Sequence, residues 1–243
     1  MDIRRNTRVN AIAFAAALAG TVVALSTNNH VLEYICKPAM LAILSSWFFF
    51  NSRRYGDRFT LMIQAGLFFS LLGDVALMFQ HMDEFYFLIG LGAFLIAQLC
   101  YAIAFLRNIT EVGGTEGLVV GGTIAVGLAL FALVFSWILL PRLDEGLSIP
   151  VLCYVITITC MGMLAAFRYT RTFLRSFWMV MSGALLFIIS DSVLATNRFL
   201  EPFDTAPVII IVTYGAAQFL IAAGALVHVL DPDSIRRKQA LEA

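Results

Sequence analysis

Eight apolar runs follow one another along the chain, each close to the ~20 residues that ~30 Å of hydrocarbon requires, with only short polar breaks between them. They cover residues 9–25, 32–50, 59–79, 85–106, 118–140, 149–167, 177–196 and 206–230. No break is long enough for a separate water-soluble domain, so the residues that carry function must lie among the helices. Of 243 residues, 60% are hydrophobic and only 13% charged, against roughly 45–50% and 25% in soluble domains. The sequence therefore predicts an all-α fold, a polytopic membrane bundle of eight transmembrane helices forming one domain over residues 1–243. The first run follows Arg4, Arg5 and Arg8 and has the layout of a signal peptide. Because similar spans follow it, it is read as an uncleaved first membrane helix.

Basic residues are retained on the cytoplasmic side of a membrane, and here their distribution is one-sided. One set of span ends carries Arg4, Arg5, Arg8, Arg53, Arg54, Arg58, Arg107, Arg168, Arg171, Arg175, Arg236, Arg237 and Lys238; the other carries only Arg142 and Arg198. This places both termini in the cytoplasm, and in the bacterial inner membrane if the source is bacterial. It also accounts for the run Arg236-Arg237-Lys238 without nucleic acid, and no nucleic-acid partner is expected.

With that orientation the ionisable groups acquire depth. Asp74, Asp191 and Lys37 stand in spans 3, 7 and 2, each about five residues from the outer end, or ~8 Å at 1.5 Å per residue. An ionisable group inside a membrane is costly, by about 2.5–3.5 kcal/mol on insertion scales, and usually faces a bundle interior or a watery cavity. One lysine and one aspartate would suffice to fix helix register. The second aspartate at the same depth needs another reason. Two neighbouring carboxyls in a poorly polarisable site cannot both ionise cheaply, so one keeps its proton, and such a pair supplies an acid and a base at neutral pH. Lys37 precedes Pro38, which removes a helical donor. The ammonium there suits either a phosphate headgroup or a carboxylate counter-ion.

A faint internal repeat agrees. Leu71-Leu72-Gly73-Asp74-Val75-Ala76-Leu77 resembles Ile188-Ile189-Ser190-Asp191-Ser192-Val193-Leu194, and one span later Gln98 and Tyr101 answer Gln218 and Tyr214. This is compatible with two parallel four-helix halves, an arrangement known among transporters. Gln98, Tyr101, Tyr214 and Gln218 are neutral groups that can line a site or join helices. The pair Gly117 and Gly121 in span 5 is read as a close helix contact, within the chain or at a homodimer face. Cys36, Cys100, Cys153 and Cys160 all fall in apolar runs, and with His30, His81 and His228 they show no ligand spacing. Packing cysteines are expected, with no metal and no cofactor.

At these residues a family resemblance can be stated. Lys37-Pro38, Ser70-Leu71-Leu72-Gly73-Asp74, the Gly92–Tyr101 stretch with Gln98, Ser190-Asp191-Ser192-Val193-Leu194-Ala195 and Tyr214-Gly215-Ala216-Ala217-Gln218 occur in that order. Together they resemble the YhhN-like integral membrane family, whose characterised animal members are lysoplasmalogenases. In one respect the chain departs from the family pattern: Gln98 stands where a histidine is common. The resemblance implies hydrolysis of the vinyl-ether bond of a lysophospholipid to a fatty aldehyde and a glycerophospho-alcohol. It implies Asp74 and Asp191 as the catalytic pair, Lys37 as the holder of the phosphate, and Gln98, Tyr101, Tyr214 and Gln218 as cavity lining. The partners expected are the lysophospholipid substrate and membrane lipids. A proton-coupled transporter or lipid translocator using the same aspartates is the alternative. A protease of the GxGD kind fits poorly, because Leu71 occupies the first glycine's place.

Overall fold

The computed structural model describes residues 3–52, 57–112 and 114–230; Arg53, Arg54, Gly113, Arg236, Arg237 and Lys238 lie outside them. Among the described residues the chain forms eight long helices and no strand. They are α1 (Thr7–Ser26), α2 (His30–Ser52), α3 (Arg58–Met78), α4 (Phe85–Val112), α5 (Leu118–Leu139), α6 (Glu145–Ala166), α7 (Leu174–Ala195) and α8 (Ala206–Leu230). All eight are long and apolar enough to cross a membrane, and the protein is an integral membrane protein. Observed bounds follow the apolar runs except where capping or turn chemistry decides. The side chain of Asp57 accepts the Thr60 amide at 2.8 Å and starts α3. Helix α4 continues to Val112 through Arg107 and Glu111, because hydropathy locates a membrane crossing and not a helix end. Helix α7 runs on into a π-helical turn, Thr196–Leu200.

Consecutive helices pair as α1–α2, α3–α4, α5–α6 and α7–α8. In the first half α2 packs on α3 and α4 packs on α6; in the second, α6 packs on α7 and α8 packs on α2. The two halves therefore repeat one pattern of neighbours, with a constant register. Tyr101 and Gln218, 117 positions apart, meet and hydrogen-bond. The same offset relates Gly66 to Gly183, and both are sites of close approach: a Cβ on Gly66 would overlap the Tyr101 ring, and one on Gly183 would come 2.9 Å from the Ala217 carbonyl oxygen. This register matches Tyr101 with Gln218, where the local motif similarity had set Gln98 against Gln218.

Helix α5 packs chiefly on α6. Its GxxxG pair closes that contact: a Cβ on Gly117 would lie 2.6 Å from Thr170 Oγ1, and one on Gly121 2.8 Å from Phe167 Cδ1. Both glycines thus serve packing within the chain. Of the cysteines, Cys36 fits against Gly20 of α1, whereas Cys153 and Cys160 are exposed on α6 and do not pack in the core as expected.

Two arginines that look like topology markers are structural. Arg168, between α6 and α7, is fully buried. Its Nε donates to Asn108 Oδ1 at 2.9 Å, one terminal nitrogen donates to Ser176 Oγ at 3.0 Å, and the guanidinium lies 5.3 Å from the Phe105 ring centroid. Burial lowers its pKa to about 9, so it remains a cation at neutral pH. Arg171 donates to the carbonyls of Phe167 and Gly114, both at 2.8 Å, tying the α6–α7 turn to the segment before α5. Arg168→Ala would leave Asn108 and Ser176 short of a partner inside the bundle. It is expected to cost about 3 kcal/mol, seen as a Tm several degrees lower in detergent.

Candidate active site

Each aspartate sits one turn before the end of its helix, Asp74 before Met78 in α3 and Asp191 before Ala195 in α7. The packing of α7 on α8, and the hydrogen bond from Tyr214 of α8 to Asp74, bring both to one place. There they face a cavity of about 620 Å³, whose walls also include Lys37, Tyr154 and Tyr214. That volume lies within the usual range for ligand sites, roughly 300–1,000 Å³. Toward the end opposite the arginine-rich one, the cavity opens past His30, Glu33, Gln80, His81, Asn197 and Arg198.

The two carboxyls have different companions. Asp74 is buried; Lys37 Nζ stands 4.0 Å from its Oδ1, and the Tyr214 hydroxyl donates to its Oδ2 at 2.8 Å. Asp191 is less buried and accepts a hydrogen bond from the Tyr154 hydroxyl of α6. Among the described residues no cation lies within ion-pair reach of Asp191. Each carboxyl thus takes its own tyrosine, and no hydrogen bond joins them directly. The arrangement follows the repeat: 37 positions separate Tyr154 from Asp191, as they do Lys37 from Asp74. Where one half places an ammonium beside its carboxylate, the other places a phenol.

A second polar layer lies one helical turn deeper. Gln218 Nε2 donates to Ser70 Oγ at 2.8 Å, and the Tyr101 hydroxyl donates to Gln218 Oε1 at 2.7 Å. Since Ser70 precedes Asp74 by a turn and Gln218 follows Tyr214 by a turn, α3 and α8 are joined by two parallel rungs. Tyr101 and Gln218 therefore brace the site and do not line the cavity. Gln98 is fully buried in α4. Its amide faces the Tyr154 hydroxyl, yet neither of its polar atoms completes a hydrogen bond. The serines flanking Asp191 are committed elsewhere: Ser190 Oγ donates to the Ile210 carbonyl at 3.0 Å and Ser192 Oγ to that of Ile188 at 2.7 Å. Neither is poised as a nucleophile. Among the described residues no group of His, Cys, Asp and Glu could hold a metal ion.

Two groups at the site were not singled out from sequence. Tyr154 is one tyrosine in an apolar run, and only the constant spacing between the halves would have marked it. Arg198 was counted as a loop charge, although it follows Asp191 by two turns. It lies 3.9 Å from the Phe87 ring centroid, donates to Gln80 Oε1 at 3.2 Å, and pairs at 3.7 Å with Glu84, whose side chain is 92% exposed. Lys37, read from sequence as suiting either a phosphate or a carboxylate, stands beside Asp74.

The chain is 32% identical over 199 residues to lysoplasmalogenase TMEM86A of Bos taurus, covering 76% of this chain and 75% of the relative. To lysoplasmalogenase TMEM86A of Homo sapiens it is 35% identical over 169 residues, covering 68% and 65%. A lysoplasmalogenase of Mycobacterium tuberculosis (strain CDC 1551 / Oshkosh) is 32% identical over 139 residues, covering 57% of this chain and 50% of the relative. No solved structure matches. The pattern of the YhhN family matches residues 32–225, a stretch that holds all of Lys37, Asp74, Tyr154, Asp191 and Tyr214: the chain belongs to the YhhN family.

Proposed function

We propose that the protein is a membrane-embedded hydrolase that cleaves the vinyl-ether bond of lysoplasmalogen-type lysophospholipids, releasing a fatty aldehyde and a glycerophospho-alcohol. The observation that carries this reading is a pair of carboxyls from different helices on one cavity, one beside a lysine and the other beside a phenol. The activity named for the relatives supports it. The arginine-rich end is cytoplasmic in this reading, so the cavity opens toward the outer leaflet.

A vinyl ether breaks after a proton is added to its β-carbon. The resulting oxocarbenium ion is captured by water, and the hemiacetal collapses to aldehyde and alcohol. The steps need a positioned acid, an anion near the developing cation, and a base for water. Lys37 favours the ionised form of Asp74, so Asp74 is the anion and the base. Asp191, with no cation beside it, holds the proton and is the acid. The proton leaving Asp191 goes to carbon; Asp74 takes one from the attacking water and returns it to the leaving glycerol oxygen as the hemiacetal collapses, while the hemiacetal hydroxyl proton restores Asp191. Tyr154 and Tyr214 hold the two carboxyls in place. Gln98 backs Tyr154, and Tyr101 and Gln218 back Tyr214. The substrate phosphate falls to Arg198, about 10 Å along the helix from Asp191 at 1.5 Å per residue, where a planar fork of donors matches phosphate geometry.

These roles separate in kinetics. Arg198→Ala is expected to raise KM about tenfold, equivalent to ~1.4 kcal/mol, with kcat little changed. Lys37→Met is expected to lower kcat by about 10²-fold with a smaller effect on KM. A reversed pattern in steady-state rates would exchange the two assignments.

The repeat of neighbours between the halves favours the alternative, a proton-coupled transporter or lipid translocator. Purified protein in detergent, given lysolipids with vinyl-ether, alkyl-ether and ester linkages, distinguishes the two. Aldehyde released from the vinyl ether alone supports the hydrolase; no aldehyde from any of them rejects it.

A further inference from the structure

We infer that the groove between α5 and α6 receives the hydrocarbon chain of the substrate, entered from the cavity over a sill made by Ala132, Val155 and Thr159. This rests on the reading of a single-chain lipid as substrate. The groove is a second, almost wholly apolar space, lined by Leu133 and Trp137 of α5 and by Leu152, Ile156, Cys160 and Met163 of α6 among others. Ala132, Val155 and Thr159 border both the groove and the cavity that holds the carboxyls, so the two spaces adjoin at these side chains. The sill offers no free polar group, because the Thr159 hydroxyl donates to the Val155 carbonyl at 2.6 Å and is satisfied within its own helix. Ala132 presents only a methyl group. From Leu152 to Met163 the groove runs along eleven residues of α6, or ~16 Å at 1.5 Å per residue, away from the polar mouth and toward the other face of the membrane.

The placing of the cavity's polar groups favours such a route. Its mouth carries His30, Glu33, His81 and Arg198, and its centre Lys37 and the two aspartates. A lipid whose reacting bond lies at the aspartates and whose phosphate lies at the mouth cannot leave its chain among those groups without stranding charge against hydrocarbon. The α5 and α6 wall, with Phe131, Phe135 and Ile158, is one apolar side of the cavity and the one that borders the groove. Beyond it the groove faces the bilayer, with Leu133 68% and Trp137 76% exposed. Lipid tails are as apolar as such a surface, so the groove contributes little affinity. It sets direction: the chain stays in hydrocarbon while the vinyl ether is held at the carboxyls. The sill then selects for chain length.

Trp137 reports on the groove. In the full chain carrying Trp178→Phe, with Trp47 buried in the core, the probe is a saturated 1-O-alkyl lysophosphatidylcholine brominated at mid-chain, the part that crosses the sill near Trp137. Saturable quenching of Trp137 is expected. Ala132→Phe should remove most of that saturable quenching, and Val155→Phe should close the same sill from the facing helix if the first variant fails to fold. Quenching that is not saturable, or that is equal with the sill open and closed, overturns the inference. In turnover, Ala132→Phe should lower kcat/KM for a long-chain vinyl-ether lysolipid about tenfold more than for a short-chain one; an equal loss for both also overturns it. Should the unaltered protein release no aldehyde, the hydrolase reading fails alone, and quenching by the saturated probe still decides where the chain lies.

Discussion

Replacing either intramembrane aspartate by asparagine is expected to lower kcat by about 10³-fold, the scale on which a positioned acid or base acts. Asparagine keeps the shape and still accepts the tyrosine hydroxyl. Both variants should therefore insert, elute as folded protein and bind a saturated ether lysolipid. The losses should not add: once one carboxyl is gone, the other has no partner reaction, and the double variant should be about as slow as either single one. The two variants differ in stability. Asp74→Asn leaves the Lys37 ammonium without its carboxylate inside the bundle, which should lower Tm more than Asp191→Asn does. Substantial turnover in either single variant, measured as aldehyde release, would reject the paired-carboxyl mechanism.

The second large effect concerns the scaffold. Gly183→Leu should prevent accumulation of folded protein, because even its Cβ would lie 2.9 Å from the Ala217 carbonyl oxygen and 3.0 Å from the Ile221 amide nitrogen. These are backbone atoms of the paired helix, so neither can rotate aside, and α7 must move off α8. Overpacking of this kind costs about 3 kcal/mol or more, and here it would also shift Asp191 of α7 away from Asp74, which α8 holds through Tyr214. Gly122 is the contrast. Nothing lies within 4 Å of a Cβ there, and Gly122→Leu should fold as the unaltered protein does. Yield of monodisperse protein and Tm in detergent test both, and equal behaviour of the two variants would contradict the close α7–α8 contact.

The eight helices and the shared level of Asp74, Asp191 and Lys37 were legible in the sequence because a membrane leaves few choices. Hydrocarbon demands long apolar runs, and it makes any charge within them conspicuous. What stayed hidden has one physical source, the identity of each side chain's neighbour. Tyr154 is amphipathic and common in apolar runs, so nothing local marks it as the partner of Asp191. Arg168 lies at a helix end, where a basic residue reads as a topology signal; its burial against Phe105 depends on how α4 and α6 pack. Lys37 was compatible with phosphate or carboxylate, and only the α2–α3 contact sets it beside Asp74. Arg198 was missed because helix α7 continues past its apolar stretch as a π-helical turn, carrying the arginine back over the cavity mouth.

The central claim is that water is captured at the vinyl carbon between the two carboxyls. Turnover of a vinyl-ether lysolipid in ¹⁸O-labelled water, with the aldehyde reduced as it forms, tests it directly. The label is expected in the alcohol derived from the aldehyde and absent from the glycerophospho product. Label in the glycerol oxygen would mean that the other carbon–oxygen bond is broken, and would contradict protonation of the vinyl ether by the aspartate pair.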